Sequence, residues 1–246
     1  TQCAVVTKTE DQDKSAVWHR NIFPKAAIVD PELMVSMPKE VTAQTGFDAF
    51  CHNFEAYLSV NASPMTEMLS LEGIRLIAEN LPKVLENGED LEARSQMALA
   101  DLLGGYTNSN AGVTLPHGLG MQVGGHCPQV THGQALAAVY PAFTRYTYPA
   151  AEKKFAAVGR IFESGLEAVS DEEAAKECCV AIDEFLKKIG LWIGFQELGV
   201  TMEDIRKIAD CGQVLGDYKN NPRVATIEEM YELLKSCFVR EERTEG

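Results

Sequence analysis

The 246-residue sequence has no apolar run approaching the ~18 residues that a membrane-spanning helix needs, which argues against a helical bilayer span. It has no excess of basic residues. Its 22 Lys and Arg stand against 36 Asp and Glu, a formal net charge of −14, which suits neither nucleic acid nor anionic lipid as a partner. Its seven cysteines include the adjacent Cys178 and Cys179 and contain no CxxC pair. An odd number without paired spacing points to reduced thiols and a cytoplasmic protein rather than to a disulfide framework. The first residues, Thr1-Gln2-Cys3-Ala4-Val5-Val6, offer no initiator methionine and no basic-then-apolar leader. They read like the middle of a longer protein. Internal repeats and low-complexity tracts are also missing.

What is present supports a folded core. Hydrophobic residues make up 46 % and charged residues 24 %, so disorder is not the default. Much of the acidic charge falls on helix faces such as Glu167 to Glu177, where it reads as solvated surface.

Two β-rich runs stand near the beginning, Ala4–Thr7 and Lys25–Asp30, with a polar stretch from Lys8 to Arg20 suited to a hairpin connection between them. After Pro31 and Pro38 the spacing turns helical. Phe47, Phe50, Phe54 and Leu58 recur at intervals of three and four on one helix face. Met65, Met68, Leu69, Ile74 and Ile77 continue that pattern after Pro64, and Leu91 to Tyr106 forms a third segment ended by Gly104-Gly105. A Gly-rich apolar stretch, 112–125, precedes the buried-looking run 134–146. Ala151 to Phe162 and Ser170 to Ile189 read as amphipathic segments. Ser170 with Glu173, Thr201 with Asp204 and Thr226 with Glu229 have capping-box spacing, in which each side chain satisfies the other residue's free N–H. The spacing predicts a helical bundle with a small β appendage. So few strands do not make an independent sheet, so they are expected to belong to a larger one.

Chemistry concentrates in two places. Asp48 and His52 are four residues apart, on one helix face and close enough to share a metal ion. By itself that spacing fits a surface ion pair better. The apolar neighbours Ala49, Phe50, Phe54 and Tyr57 argue the other way, because a buried charge needs a partner or a metal. Downstream, His117, His126 and His132 fall within a short glycine-flanked stretch. On spacing alone this cluster fits hydrogen-bonded packing and a metal site equally. An Asp with several His suits Fe²⁺ or Zn²⁺ better than Mg²⁺ or Ca²⁺. His19, beside Trp18 and Arg20, is expected at the surface without a role.

At these residues the sequence resembles the iron-dependent (group III) alcohol dehydrogenase family. The family pattern T-G-x-D-A-x-x-H-x-x-E-A-Y-x-S reads here as Thr45-Gly46-Phe47-Asp48-Ala49-Phe50-Cys51-His52-Asn53-Phe54-Glu55-Ala56-Tyr57-Leu58-Ser59. Upstream lies Ala27-Ile28-Val29-Asp30-Pro31-Glu32-Leu33 with Pro38. Downstream lie Ser109-Asn110-Ala111-Gly112 leading to His117, then Thr131-His132-Gly133, the stretch 198–205, Asn221-Pro222-Arg223 and Thr226. The resemblance covers the whole chain. It implies a mainly α fold, a helical bundle of the dehydroquinate synthase-like C-terminal type, over residues 36–246. Residues 1–35 would be a β-rich remnant of a missing Rossmann-like nucleotide-binding domain. It further implies that Asp48, His52, His117 and His132 hold one divalent metal, Fe²⁺ or Zn²⁺. That metal would act on the alcohol oxygen as a Lewis acid while hydride passes to the nicotinamide of NAD or NADP. Lys14 would lie near the nicotinamide ribose, and the full-length protein would be a homodimer acting on a small alcohol or aldehyde.

Three departures accompany the resemblance. Where many members have a second histidine four residues after the first of the cluster, this chain has Met121, which carries no proton at neutral pH; His126 is a possible substitute. The interval from His117 to His132 is one residue longer than in typical members. The glycine loops that grip a dinucleotide diphosphate are absent, so the chain alone is expected to be inactive. Two other readings are a zinc-using relative resembling glycerol dehydrogenase or dehydroquinate synthase, and a non-catalytic helical domain for binding or oligomerisation. The Asp-x-x-x-His helix speaks against the first, whereas Met121 and the missing half favour the second.

Overall fold

In the computed structural model, which describes residues 3–240, one antiparallel hairpin precedes nine α-helices. Thr1 and Gln2 of the expected β-rich piece, and residues 241–246 of the expected helical domain, lie outside the described residues. No helix is long and apolar enough to cross a membrane among the described residues.

The hairpin pairs β1 (Cys3–Lys8) with β2 (Asp13–Trp18), in a register running from Cys3 opposite Trp18 to Lys8 opposite Asp13. The second strand therefore lies inside the stretch 8–20 that the sequence suggests as a connection. The turn is tight, a 3-10 turn over Thr9–Asp11 followed by Gln12 at φ 53, so closure costs little chain entropy. Lys25–Asp30, expected as a strand, forms no regular element, and Ile28 is 92 % exposed. A strand needs a hydrogen-bonded neighbour, and Lys25–Asp30 pairs with neither edge of the two-stranded sheet.

The core forms around α1 (Lys39–Leu58). Phe47, Phe50, Phe54 and Leu58 are all 1 % exposed or less, as their spacing predicts. Phe50 stacks at 5.7 Å on Phe47 and 5.5 Å on Phe54, and its ring meets Phe162 and Phe185 from two later helices. α2 (Pro64–Glu86) starts on a Ser63–Thr66 capping box with Pro64 at its first position. Its buried face is Ile74, Ile77, Leu81 and Val84. Met65 and Met68, expected to extend that face, are exposed, because the buried side of the first turns runs through Thr66 and Ser70 and the two methionines point away from it.

α3 (Leu91–Ala111) runs through Gly104-Gly105 instead of ending there, and stops at Gly112, whose φ is 76. Gly104 serves close packing rather than termination. A Cβ there would meet the Asn53 amide at 2.8 Å and the His52 Cβ at 3.2 Å, so only glycine lets α3 lie this close to α1. α1, α2 and α3 pack mutually. Next come α4 (Leu115–His126), α5 (His132–Thr147), α6 (Glu152–Phe162), α7 (Asp171–Lys188), α8 (Met202–Asp210) and α9 (Ile227–Ser236). α4 packs on α5, α5 packs on α1, and the hairpin lies against α4. The capping boxes at Thr201–Asp204 and Thr226–Glu229 are complete. At Ser170 only half the expected box forms, the hydroxyl accepting from Glu173 N.

Candidate metal centre

α1 presents Asp48, His52 and Glu55 along one face, as intervals of four and three dictate. The centre is completed by α4 and α5. His117 stands in the first turn of α4. His132 is the first residue of α5, whose start is fixed by a Thr131–Gln134 capping box. Gly133 brings that start into place: a Cβ there would meet the Gln44 carbonyl oxygen of α1 at 2.5 Å.

The side chains converge on a single oxygen. From Asp48 Oδ1, His117 Nε2 is 3.3 Å away, His132 Nε2 3.7 Å and His52 Nε2 3.9 Å. The rings of His52 and His117 stack at 4.7 Å, and those of His117 and His132 meet edge-on at 5.2 Å. Asp48, His52 and His117 place ligand atoms within 4.8 Å of one another. His132 joins through Asp48 and stands outside that tighter trio.

These distances fit a metal better than a hydrogen-bonded knot. Asp48 Oδ1 and His117 Nε2 are buried, and neither has hydrogen-bond geometry with a partner among the described residues. Native proteins seldom leave such atoms unsatisfied. Tetrahedral ligands about 2.1 Å from an ion stand about 3.4 Å from one another, and the observed spacings lie near that value.

Electrostatics divides the imidazoles. Burial would raise the Asp48 pKa, but His52, His117 and His132 outweigh it and hold this carboxylate far below its usual range. Burial lowers His52, and it pulls His132 down to about 3, which keeps both rings neutral with lone pairs available. For His117, burial opposes the charged ring, but Glu55 and Asp48 prevail and raise it to about 10. An ion binding here would displace that proton.

Glu55, three residues after His52, joins the centre although the Asp48–His52 spacing does not point to it. It is fully buried, and its Oε1 lies 2.7 Å from His117 Nδ1. Its signal was available: a lone carboxylate between Phe54 and Ala56 on the face that carries Asp48 and His52. Two more carboxylates flank the centre, Asp101 near His52 and Asp217 near His117, both raised by burial.

The remaining candidates are placed as follows. Lys14 of β2 crosses Gly124 of α4, and its charge acts on both Asp48 and His132. Burial lowers its pKa, against the pull of Asp48. Met121 is buried on α4, one turn beyond His117. His126 lies at the other end of that helix, about 14 Å along the axis from His117. It faces Asp204 and Lys207 of α8, and neither ring nitrogen has a hydrogen-bond partner among the described residues. His19 is exposed and accepts from the Asn21 N–H.

Between α1 and α3 a recess of about 380 Å³ opens, lined by Met37, Thr45, Val84 and Met97, with Asp48 and Asp101 in its wall. A larger groove of about 520 Å³ lies at the far end of α1, around Ser59 and Pro149, away from the centre.

Comparisons with known proteins agree with this architecture. Residues 42–238 match the model of the Fe-containing alcohol dehydrogenase family, C-terminal. The chain is 35 % identical over 237 residues to an NAD-dependent methanol dehydrogenase of Bacillus methanolicus, covering 96 % of this chain and 62 % of that protein. It is 33 % identical over 238 residues to a 1,3-propanediol dehydrogenase of Klebsiella pneumoniae, covering 97 % and 61 %. A crystal structure of 1,3-propanediol oxidoreductase superimposes with a TM-score of 0.92 at 33 % identity, over 97 % of this chain and 62 % of that one. The chain thus spans about three-fifths of the length of these relatives. It belongs to the Fe-containing alcohol dehydrogenase family.

Proposed function

We propose that this member of the family carries the metal site and the helical wall of the active cleft of an NAD(P)-linked alcohol dehydrogenase or aldehyde reductase. Asp48, His52, His117 and His132 would hold one divalent ion, Fe²⁺ or Zn²⁺. The observation that carries the reading is the convergence of three imidazole nitrogens on the unbonded, buried Asp48 Oδ1. An ion bound there supplies Lewis acidity, which lowers the pKa of an alcohol hydroxyl.

The chain's own residues do the rest. Glu55 orients His117. The recess beside Asp48, walled in part by the apolar Met37, Val84 and Met97, suits the carbon chain of a small alcohol. Lys14 projects from β2 toward the same centre and would donate to the nicotinamide end of the cofactor. Met121 neither accepts nor releases a proton, and His126 faces α8 instead of the centre. The substrate proton therefore leaves by solvent at the open side of the site, where the Asp48, His52 and His132 side chains are about one-quarter exposed.

The names of the relatives favour a small alcohol and a nicotinamide cofactor, and their additional length is where the cofactor-binding half would lie. The 246-residue chain by itself is expected not to turn over alcohol with NAD or NADP.

Anaerobic titration with Fe²⁺ or Zn²⁺ tests the reading. One site is expected per chain, and His52→Ala and His132→Ala should each weaken it by more than the ~10–100-fold typical of losing an outer partner. Binding unchanged in both variants would remove the metal assignment.

A further inference from the structure

We infer that Glu55 is a positioning residue that sets which nitrogen of His117 faces the metal and anchors the helix that carries it. The inference rests on the metal reading above.

The Glu55 side chain is fully buried, yet it is a carboxylate that accepts no hydrogen bond from Lys or Arg among the described residues. Its compensation comes from five donors. Oε1 accepts from His117 Nδ1 at 2.7 Å and from the Tyr140 hydroxyl at 3.2 Å. Oε2 accepts from Thr114 N at 2.8 Å, Thr114 Oγ1 at 3.2 Å and, more distantly, His117 N at 3.4 Å. A carboxylate offers about four lone-pair sites, so its capacity is used up.

Two consequences follow from where those donors sit. With Nδ1 donating to Glu55, the neutral His117 ring has its proton there and its lone pair on Nε2, which is the atom 3.3 Å from Asp48 Oδ1. The second concerns the start of α4. Thr114 precedes that helix but makes no side-chain cap bond within it. The N–H of Thr114 itself and, at 3.4 Å, the N–H of His117 in the first turn point instead to Glu55, which caps the start of α4 from another helix. A single face of α1 thus supplies two ligands, Asp48 and His52, and governs the placement of a third.

Glutamine is close to isosteric with glutamate but replaces one acceptor oxygen with an NH₂ group. Either orientation sets donor against donor, at Thr114 N or at His117 Nδ1. Glu55→Gln in the 246-residue chain is expected to weaken Zn²⁺ binding by roughly 10–100-fold, with helical circular dichroism retained. Tyr140→Phe removes one donor but keeps the Glu55–His117 pair, and should bind Zn²⁺ close to the parent affinity. Parent-like affinity in Glu55→Gln, while His52→Ala abolishes binding, would show Glu55 to be structural only and overturn the inference. Failure of the parent chain itself to bind Zn²⁺ would remove the metal reading, and this inference with it. If Glu55→Gln does not fold, ¹⁵N-histidine spectra of the Zn²⁺-loaded parent decide. A protonated Nδ1 and a metal-bound Nε2 on His117 are expected, and the reverse assignment overturns the inference.

Discussion

On one side of α1, Phe47, Phe50 and Phe54 are sealed from solvent and packed ring to ring with Tyr140, Phe143, Phe155, Phe162 and Phe185. On the other side, Asp48, His52 and Glu55 face α4 and α5. The aromatic side is complete as it stands. Each fully buried phenylalanine contributes about 1.5–3 kcal/mol with no ligand required. The polar side is not complete, since Asp48 Oδ1 and His117 Nε2 have no hydrogen-bond partner among the described residues. An unsatisfied buried polar group costs about 1–3 kcal/mol. One helix therefore supplies stability from one face and gives some of it up on the other, where binding can recover it.

The largest test removes the self-sufficient side. Phe50→Ala should cost about 3–5 kcal/mol by urea unfolding, through lost burial and the cavity left behind. A cost under about 1 kcal/mol would mean that the aromatic stack does not anchor α1. The next test concerns the dependent side. Zn²⁺ at about 100 times its Kd should stabilise the chain by about 2.7 kcal/mol, roughly 5–10 °C in Tm at this chain length. A chelator should reverse the gain, and His52→Ala should show none. If the gain survives in His52→Ala, the ion is binding elsewhere. The smallest test touches neither face. Thr226→Ala removes the capping box of α9 and should cost about 1 kcal/mol while leaving Zn²⁺ affinity unchanged. A loss of affinity would show that the two sides of the molecule are coupled through the distal helices.

Legibility in the sequence followed the range of each interaction. The Phe47–Leu58 stripe and the pairing of Asp48 with His52 are matters of helical period, and the structure has both. The boxes at Thr201 and Thr226 involve residues three apart and form as read, whereas at Ser170 the reciprocal bond fails although the spacing is the same. Met65 and Met68 are apolar but out of phase with Ile74 and Ile77, and the buried side at that level is Thr66 and Ser70. Gly104-Gly105 looked like a helix end because glycine is weak in a helix interior. Its role depends on Asn53 and His52, which only the packed structure brings near. The second strand is Asp13–Trp18 and not Lys25–Asp30 because pairing depends on which segment returns to β1, and a tight turn at Gln12 favours the nearer segment over the more apolar run further on.

The sequence by itself determined what one helix can encode: an amphipathic rod with an aromatic side, and with a carboxylate and an imidazole set four residues apart on another. Its motifs also carried the family resemblance. Only the tertiary structure decided that His117 and His132 reach the same Asp48 oxygen, that Glu55 takes five donors, and that Lys14 approaches from β2 while His126 turns away. The reason is physical. Helical period fixes directions around one axis, but contact between axes depends on close approaches such as Gly133 on Gln44, and no spacing along the chain records them.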